Sequence, residues 1–193
     1  MASNVKQRIF LARDVSSSMD GYKISELNLA THALMAMLGL PENKDGFEVS
    51  VIDFNHGSDW VAQGVSAVGA AIPDALASGG TNFDSPLIKL GDALEAAQHY
   101  VCPHGYYYLR PFVVFLSDGH AGVSDANIHR VQEQATILSV ACGDDSGNTT
   151  LARIASDGQV QQIGTDGGEL RAFFAEVGKT LTGSYNQAQN QAA

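Results

Sequence analysis

The stretch Phe112-Val113-Val114-Phe115-Leu116-Ser117-Asp118-Gly119 decides the fold class. Five consecutive apolar residues, β-branched or aromatic for the most part, describe a strand buried on both faces, as in the interior of a parallel sheet. The run stops in a small polar turn that carries Asp118 at the strand's carboxyl end. Open α/β sheets bind their ligands at that end.

Working outward, short apolar runs alternate with longer segments of helical period, which predicts an α/β fold with a largely parallel central sheet and helices on both faces. Arg8 to Ala12 reads as the first strand and runs into the polar turn Asp14-Val15-Ser16-Ser17-Ser18. From Ile24 to Leu40, the residues Leu27, Ala30, Leu34 and Leu38 share one helical face, and Gly39 and Pro41 stop the helix. Phe47 to Phe54 alternates as a strand. The turn Asn55-His56-Gly57-Ser58 then leads into Asp59-Trp60-Val61-Ala62, close enough for a hairpin, so one antiparallel edge strand is expected. Leu87, Leu90, Leu94 and Ala97 mark another amphipathic helix, and one more is expected around Asp125 to Gln134. A strand follows from Thr136 to Ala141, then a short helix from Leu151 to Ala155. Val160 to Ile163 reads as an edge strand and Leu170 to Leu181 as a closing helix. Residues 1–182 are expected to form a single domain, with 183–193, rich in Asn, Gln and Ala without periodicity, as a disordered tail.

Three loops are expected to converge. Alternate residues of an extended turn point the same way, so Asp14, Ser16 and Ser18 can present three oxygens to one spot. Asp118 ends the central strand, and Thr81 follows the Gly79-Gly80 pair, where the backbone can approach closely. Hydroxyls and carboxylates are hard ligands suited to Mg²⁺, and also to Mn²⁺ or Ca²⁺, while the lack of His and thiolate argues against zinc. Two carboxylates among neutral hydroxyls leave the cation incompletely enclosed, with room for water or for a carboxylate from another molecule.

In this order, Asp14-Val15-Ser16-Ser17-Ser18, Ser78-Gly79-Gly80-Thr81 and Phe115-Leu116-Ser117-Asp118-Gly119 resemble the metal-ion-dependent adhesion site of von Willebrand factor A domains, whose pattern is Asp-x-Ser-x-Ser, then Thr, then Asp. The resemblance covers nearly the whole chain. It implies a Rossmann-like sheet, with Ser16, Ser18 and Thr81 touching the metal and Asp14 and Asp118 held partly through water. Within the family the chain is most similar to the bacterial TerY type linked to tellurite resistance and stress-response gene clusters, through Ser78-Gly79-Gly80-Thr81, Ala141-Cys142-Gly143-Asp144-Asp145 and Leu170-Arg171-Ala172-Phe173-Phe174. Arg13 departs from the family pattern, which has an apolar residue before the Asp. Its cation can pair with a nearby carboxylate or face out at the strand end, and the outward orientation is the one expected.

Composition narrows the class of partner. With 45% hydrophobic and 17% charged residues the chain is ordinary globular protein, and a net charge of -10 disfavours nucleic acid, which needs clustered Lys and Arg. Ile9-Phe10-Leu11-Ala12 is too short for a signal-peptide core, and no run approaches a membrane span, so a cytoplasmic protein is expected. Cys102 and Cys142 form no disulfide framework, and both are expected to be reduced.

Other groups are weaker candidates. Asp20 could help a second cation site, although Asp20-Gly21 reads more simply as a turn. His99, Cys102 and His104 lack a fourth zinc ligand. Tyr106-Tyr107-Tyr108 is either a binding patch or packing over the sheet edge, and His120 either lines the rim of the site or is incidental. The function expected is a binding module in which a partner protein's carboxylate completes the cation's shell. Two alternatives stay open: a structural subunit whose metal only stabilises, and a Mg²⁺-dependent hydrolase or phosphotransferase. Against the enzyme, the chain has no Gly-x-x-x-x-Gly-Lys loop and no visible activated nucleophile, although folding could bring His120 near Ser117.

Overall fold

A computed structural model of the protein describes residues 5–98, 106–143, 148–164 and 168–192. The seven strands are β1 (Val5–Asp14), β2 (Phe47–Phe54), β3 (Ser58–Ser66), β4 (Tyr107–Tyr108), β5 (Phe112–Ser117), β6 (Thr136–Cys142) and β7 (Val160–Ile163). The helices are α1 (Tyr22–Leu38), α2 (Asp84–Gln98), α3 (Asp125–Gln132), α4 (Asn148–Ile154) and α5 (Glu169–Ala192), besides single 3₁₀ turns at Ser17–Met19 and Pro41–Asn43.

The sheet runs β3-β2-β1-β5-β6-β7. Every pairing is parallel except β2 with β3, the expected hairpin, which extends further than the apolar pattern suggested because Gly64 and Ser50 accommodate a bulge. Beside β1, the short β4 and the longer β5 form one interrupted strand. Pro111 lacks a donor for the ladder, and the register shifts by one residue across it. The apolar run 112–116 is central, with β1 on one side and β6 on the other.

Alternation along β1 explains the two layers. Ile9 and Leu11 point to the face covered by α1 and α5, where Leu27, Ala30, Leu34 and Leu38 of α1 are buried as their spacing predicts. Phe10 and Ala12 point to the face covered by α2, α3 and α4, with Leu87, Leu90, Leu94, Ile128, Val131, Leu151 and Ile154. Helices therefore lie on both sides of the sheet.

The segment from Gly183 departs from expectation. Instead of lacking order, it continues α5 through to Ala192. Tyr185 is buried there, its ring 5.2 Å from that of Phe47. A Cβ at Gly46 would lie 2.2 Å from the same ring, so the glycine vacates the space that the tyrosine fills. His99, Cys102, His104, Asp144 and Asp145 lie outside the described residues. Tyr108 is drawn inward, donating to Glu48 (2.8 Å) beneath the Arg8 guanidinium, whereas Tyr107 is exposed.

Candidate metal centre

Strand order creates the site. The chain leaves β1 through α1 to β2 on one side, and β5 later takes the other side, so β1 and β5 bound the crevice where the winding reverses. Ligands of open α/β sheets bind outside the carboxyl ends at such a point. Asp14 closes β1, and Asp118 follows Ser117 at the end of β5.

The buried Asp14 carboxylate accepts from the Ser16 backbone N–H at 2.8 Å and from the buried Ser117 hydroxyl. Ser16 Oγ lies 3.0 Å from Ser18 Oγ, and Ser18 Oγ donates to Asp118 Oδ1 at 2.7 Å. Four of the five expected residues thus form one hydrogen-bonded chain. Thr81 stands across from it: a Cβ at Gly119 would be 3.5 Å from Thr81 Oγ1 and 3.8 Å from Ser117 Oγ. The cluster grades from buried Asp14 and Ser16 to half-buried Thr81 and exposed Ser18, so it opens to solvent at the Ser18 rim.

Three loops hold it. The segment after β3 is stitched to the β1–α1 turn by Ser78 N to Val15 O (2.7 Å) and Ser17 N to Gly79 O (2.9 Å). Gly79 adopts a φ of 74°, and a Cβ there would lie 2.8 Å from His56 Nδ1, so both conformation and space favour glycine. Asn28 of α1 brackets Ala75 by donating to its carbonyl (3.1 Å) and accepting from its N–H (2.8 Å). Two residues beyond Thr81, Phe83 is fully buried among Phe54 and Phe115, with ring centroids 6.0 and 5.4 Å away. Burying such a ring contributes about 1.5–3 kcal/mol, which anchors the loop that presents Thr81.

Burial pushes the Asp14 carboxyl above its ordinary range; the Ser117 and Ser16 hydrogen bonds oppose that shift and the neighbouring Asp118 adds to it. Bringing a cation to these oxygens would offset the cost of burying the charge. One cation is already there. Lys23, in the first turn of α1, donates its ammonium to Asp118 Oδ2 and reaches the Ser18 carbonyl at 3.4 Å.

Arg13 does not face solvent. It is wholly buried and forks onto Asp53, directly opposite on β2, through Nε (2.6 Å) and a terminal nitrogen (3.0 Å), while both terminal nitrogens reach the Pro73 carbonyl at 3.4 Å. Pairing with a carboxylate is thus the orientation realised, since an unpaired guanidinium could not be buried there. Asp20 is exposed and accepts from the Gly21 N–H at 2.8 Å, a turn. His120 is exposed. The Ser117 hydroxyl donates to the Asp14 carboxylate. Among the described residues, no three of His, Cys, Asp and Glu converge as a metal-binding group. The cluster reaches five oxygen-bearing side chains only by including hydroxyls. Sequence reasoning missed Lys23 and Asn28 as parts of this site. Lys23 did carry a signal, a cation at the positive end of a helix one turn beyond the serines.

No family model and no curated protein matches the sequence. Among solved structures, a von Willebrand factor type A protein from Catenulispora acidiphila is similar with a TM-score of 0.71 and 21% identity, over 90% of this chain and 42% of that one. Proximal thread matrix protein 1 from the mussel byssus, with a zinc-occupied metal-ion-dependent adhesion motif, gives 0.65 and 16%, over 93% and 48%. The ArnB paralog VWA2 from Sulfolobus acidocaldarius gives 0.63 and 16%, over 93% and 44%. The chain spans less than half the length of each of these proteins. Identities of 21% or less establish architecture, and the architecture is that of a von Willebrand factor A domain.

Proposed function

We propose that Asp14, Ser16, Ser18, Thr81 and Asp118 hold a divalent cation, Mg²⁺ in the first instance, and that the cation binds a carboxylate of a partner protein. The observation that carries this reading is the chain of hydrogen bonds joining Asp14, Ser16, Ser18 and Asp118 at the sheet's switch point, already bearing a cationic group on Asp118. The donor set fits the ion: all five offer hard oxygens, as Mg²⁺, Mn²⁺ and Ca²⁺ prefer. An all-oxygen set does not exclude zinc, because the byssus protein's corresponding motif is described as zinc-occupied. When bound, the cation would supply a Lewis-acidic contact for an acidic side chain. The protein's own residues would orient it, with Asp14 beneath and Ser18 and Thr81 at the open rim.

The biological setting proposed is that of the TerY type, a bacterial stress-response protein of the cytoplasm. Its support is the set of matching segments Ser78-Gly79-Gly80-Thr81, Ala141-Cys142-Gly143-Asp144-Asp145 and Leu170-Arg171-Ala172-Phe173-Phe174. Among the described residues no helix is long and apolar enough to cross a membrane.

The test is Thr81→Ala, which removes one hydroxyl from a loop without opening a core cavity. The variant should keep its circular dichroism and melting temperature. It should lose partner retention in Mg²⁺ by roughly thirtyfold or more, the scale of truncating one side of a charge-assisted contact. Unchanged retention in a variant shown to have lost the metal would make the cation purely structural.

A further inference from the structure

Lys23 is in an unusual place. It sits in the first turn of α1, where the helix carries partial positive charge and a cation is disfavoured, and no acidic residue of that turn compensates it. What holds it is the Asp118 carboxylate, 95 residues away in sequence. Asp118 retains 1% of its side-chain exposure and Lys23 retains 29%, so the pair is neither a solvated surface bridge nor a sealed one. Ser18 Oγ takes one Asp118 oxygen and Lys23 takes the other, which commits both oxygens.

We propose that Lys23 is a tethered rival of the divalent cation, a residue that sets the affinity and cation selectivity of the site. The inference rests on the metal-binding reading above. A cation drawing charge from Asp118 does so at the expense of the ammonium, because two cations held by one carboxylate repel each other. Lys23 therefore neutralises Asp118 in the metal-free protein and swings off when the ion arrives. Its side chain lines a small cavity with Tyr22, Glu26, Cys142 and Leu170. Glu26, one helical turn on, already holds Arg171 (3.3 Å) and the Gly168 N–H (3.1 Å), so the released ammonium turns to solvent, to which Lys23 is already 29% exposed. The consequence is a threshold: a monovalent ion does not displace the lysine, whereas a divalent ion does.

The experiment titrates the full chain and its Lys23→Met and Lys23→Gln variants with MgCl₂ by calorimetry, and follows melting with and without saturating Mg²⁺. Lys23→Met should bind Mg²⁺ roughly tenfold more tightly than wild type, since the ion no longer breaks a charge-assisted hydrogen bond. Its melting temperature should fall below wild type without metal and match it at saturation. Lys23→Gln, which keeps a neutral donor, should be intermediate, and it serves if the methionine variant folds poorly. Equal affinities in all three proteins would overturn the inference and leave the metal site standing. Uptake by none of them would remove the metal reading and the rivalry with it.

Discussion

Two adjacent residues of β1 meet opposite fates. Arg13 and Asp14 point to opposite sides of the sheet, and each is charged and buried. Arg13 is closed off: a planar fork on Asp53 takes up its charge, and the Pro73 carbonyl accepts from both terminal nitrogens. Asp14 is left open. Its partners are hydroxyls and a backbone N–H, and Lys23 is joined to it only through Asp118 and the serines. A charge answered by a rigid fork is structural, whereas one answered by neutral hydroxyls and a half-buried lysine is kept available for exchange.

The contrast can be broken from its closed side, where the largest effect lies. Arg13→Met should destabilise the protein by about 3–5 kcal/mol in urea denaturation, because Asp53 is stranded without its cation. Burial already pushes the Asp53 carboxyl up against the pull of Arg13. Adding Asp53→Leu should restore most of the loss. A single variant as stable as wild type would show that the fork does not hold β1 to β2. From the open side, Lys23→Met should cost less in metal-free buffer, about 1–2 kcal/mol, since its ammonium is part-solvated. A loss as large as that at Arg13 would mean that the two pairs do the same work and that the lysine is not exchangeable.

The pattern of apolar residues made the sheet legible. Both faces of β1, the buried stripe of α1 and the antiparallel hairpin follow from periods of two and of about 3.6. What stayed hidden is tertiary. The segment after Gly183 has no helical period in its Asn, Gln and Ala, and it is ordered by a tyrosine entering space left by Gly46, far earlier in the chain. Whether Arg13 faced solvent or a carboxylate depended on Asp53 lying opposite it in register, which a single strand does not display. The convergence of Asp14, Ser16, Ser18 and Asp118 was legible because each lies at or just beyond a strand's carboxyl end, and the approach of Thr81 because it follows a glycine pair. Lys23 went unread because its partner Asp118 lies 95 residues away beyond the end of β5, although a cation in a helix's first turn was itself a signal.

Titration with Mn²⁺ followed by electron paramagnetic resonance asks whether Asp14 and Asp118 help to bind a divalent ion. Wild type should take up Mn²⁺ at a single site and release it to Mg²⁺. Asp118→Asn, verified as folded by circular dichroism, should bind at least roughly tenfold more weakly, having lost a charged ligand of nearly the same shape. Equal Mn²⁺ uptake by wild type and Asp118→Asn would contradict the account, because the ion would then be bound elsewhere on an acidic surface.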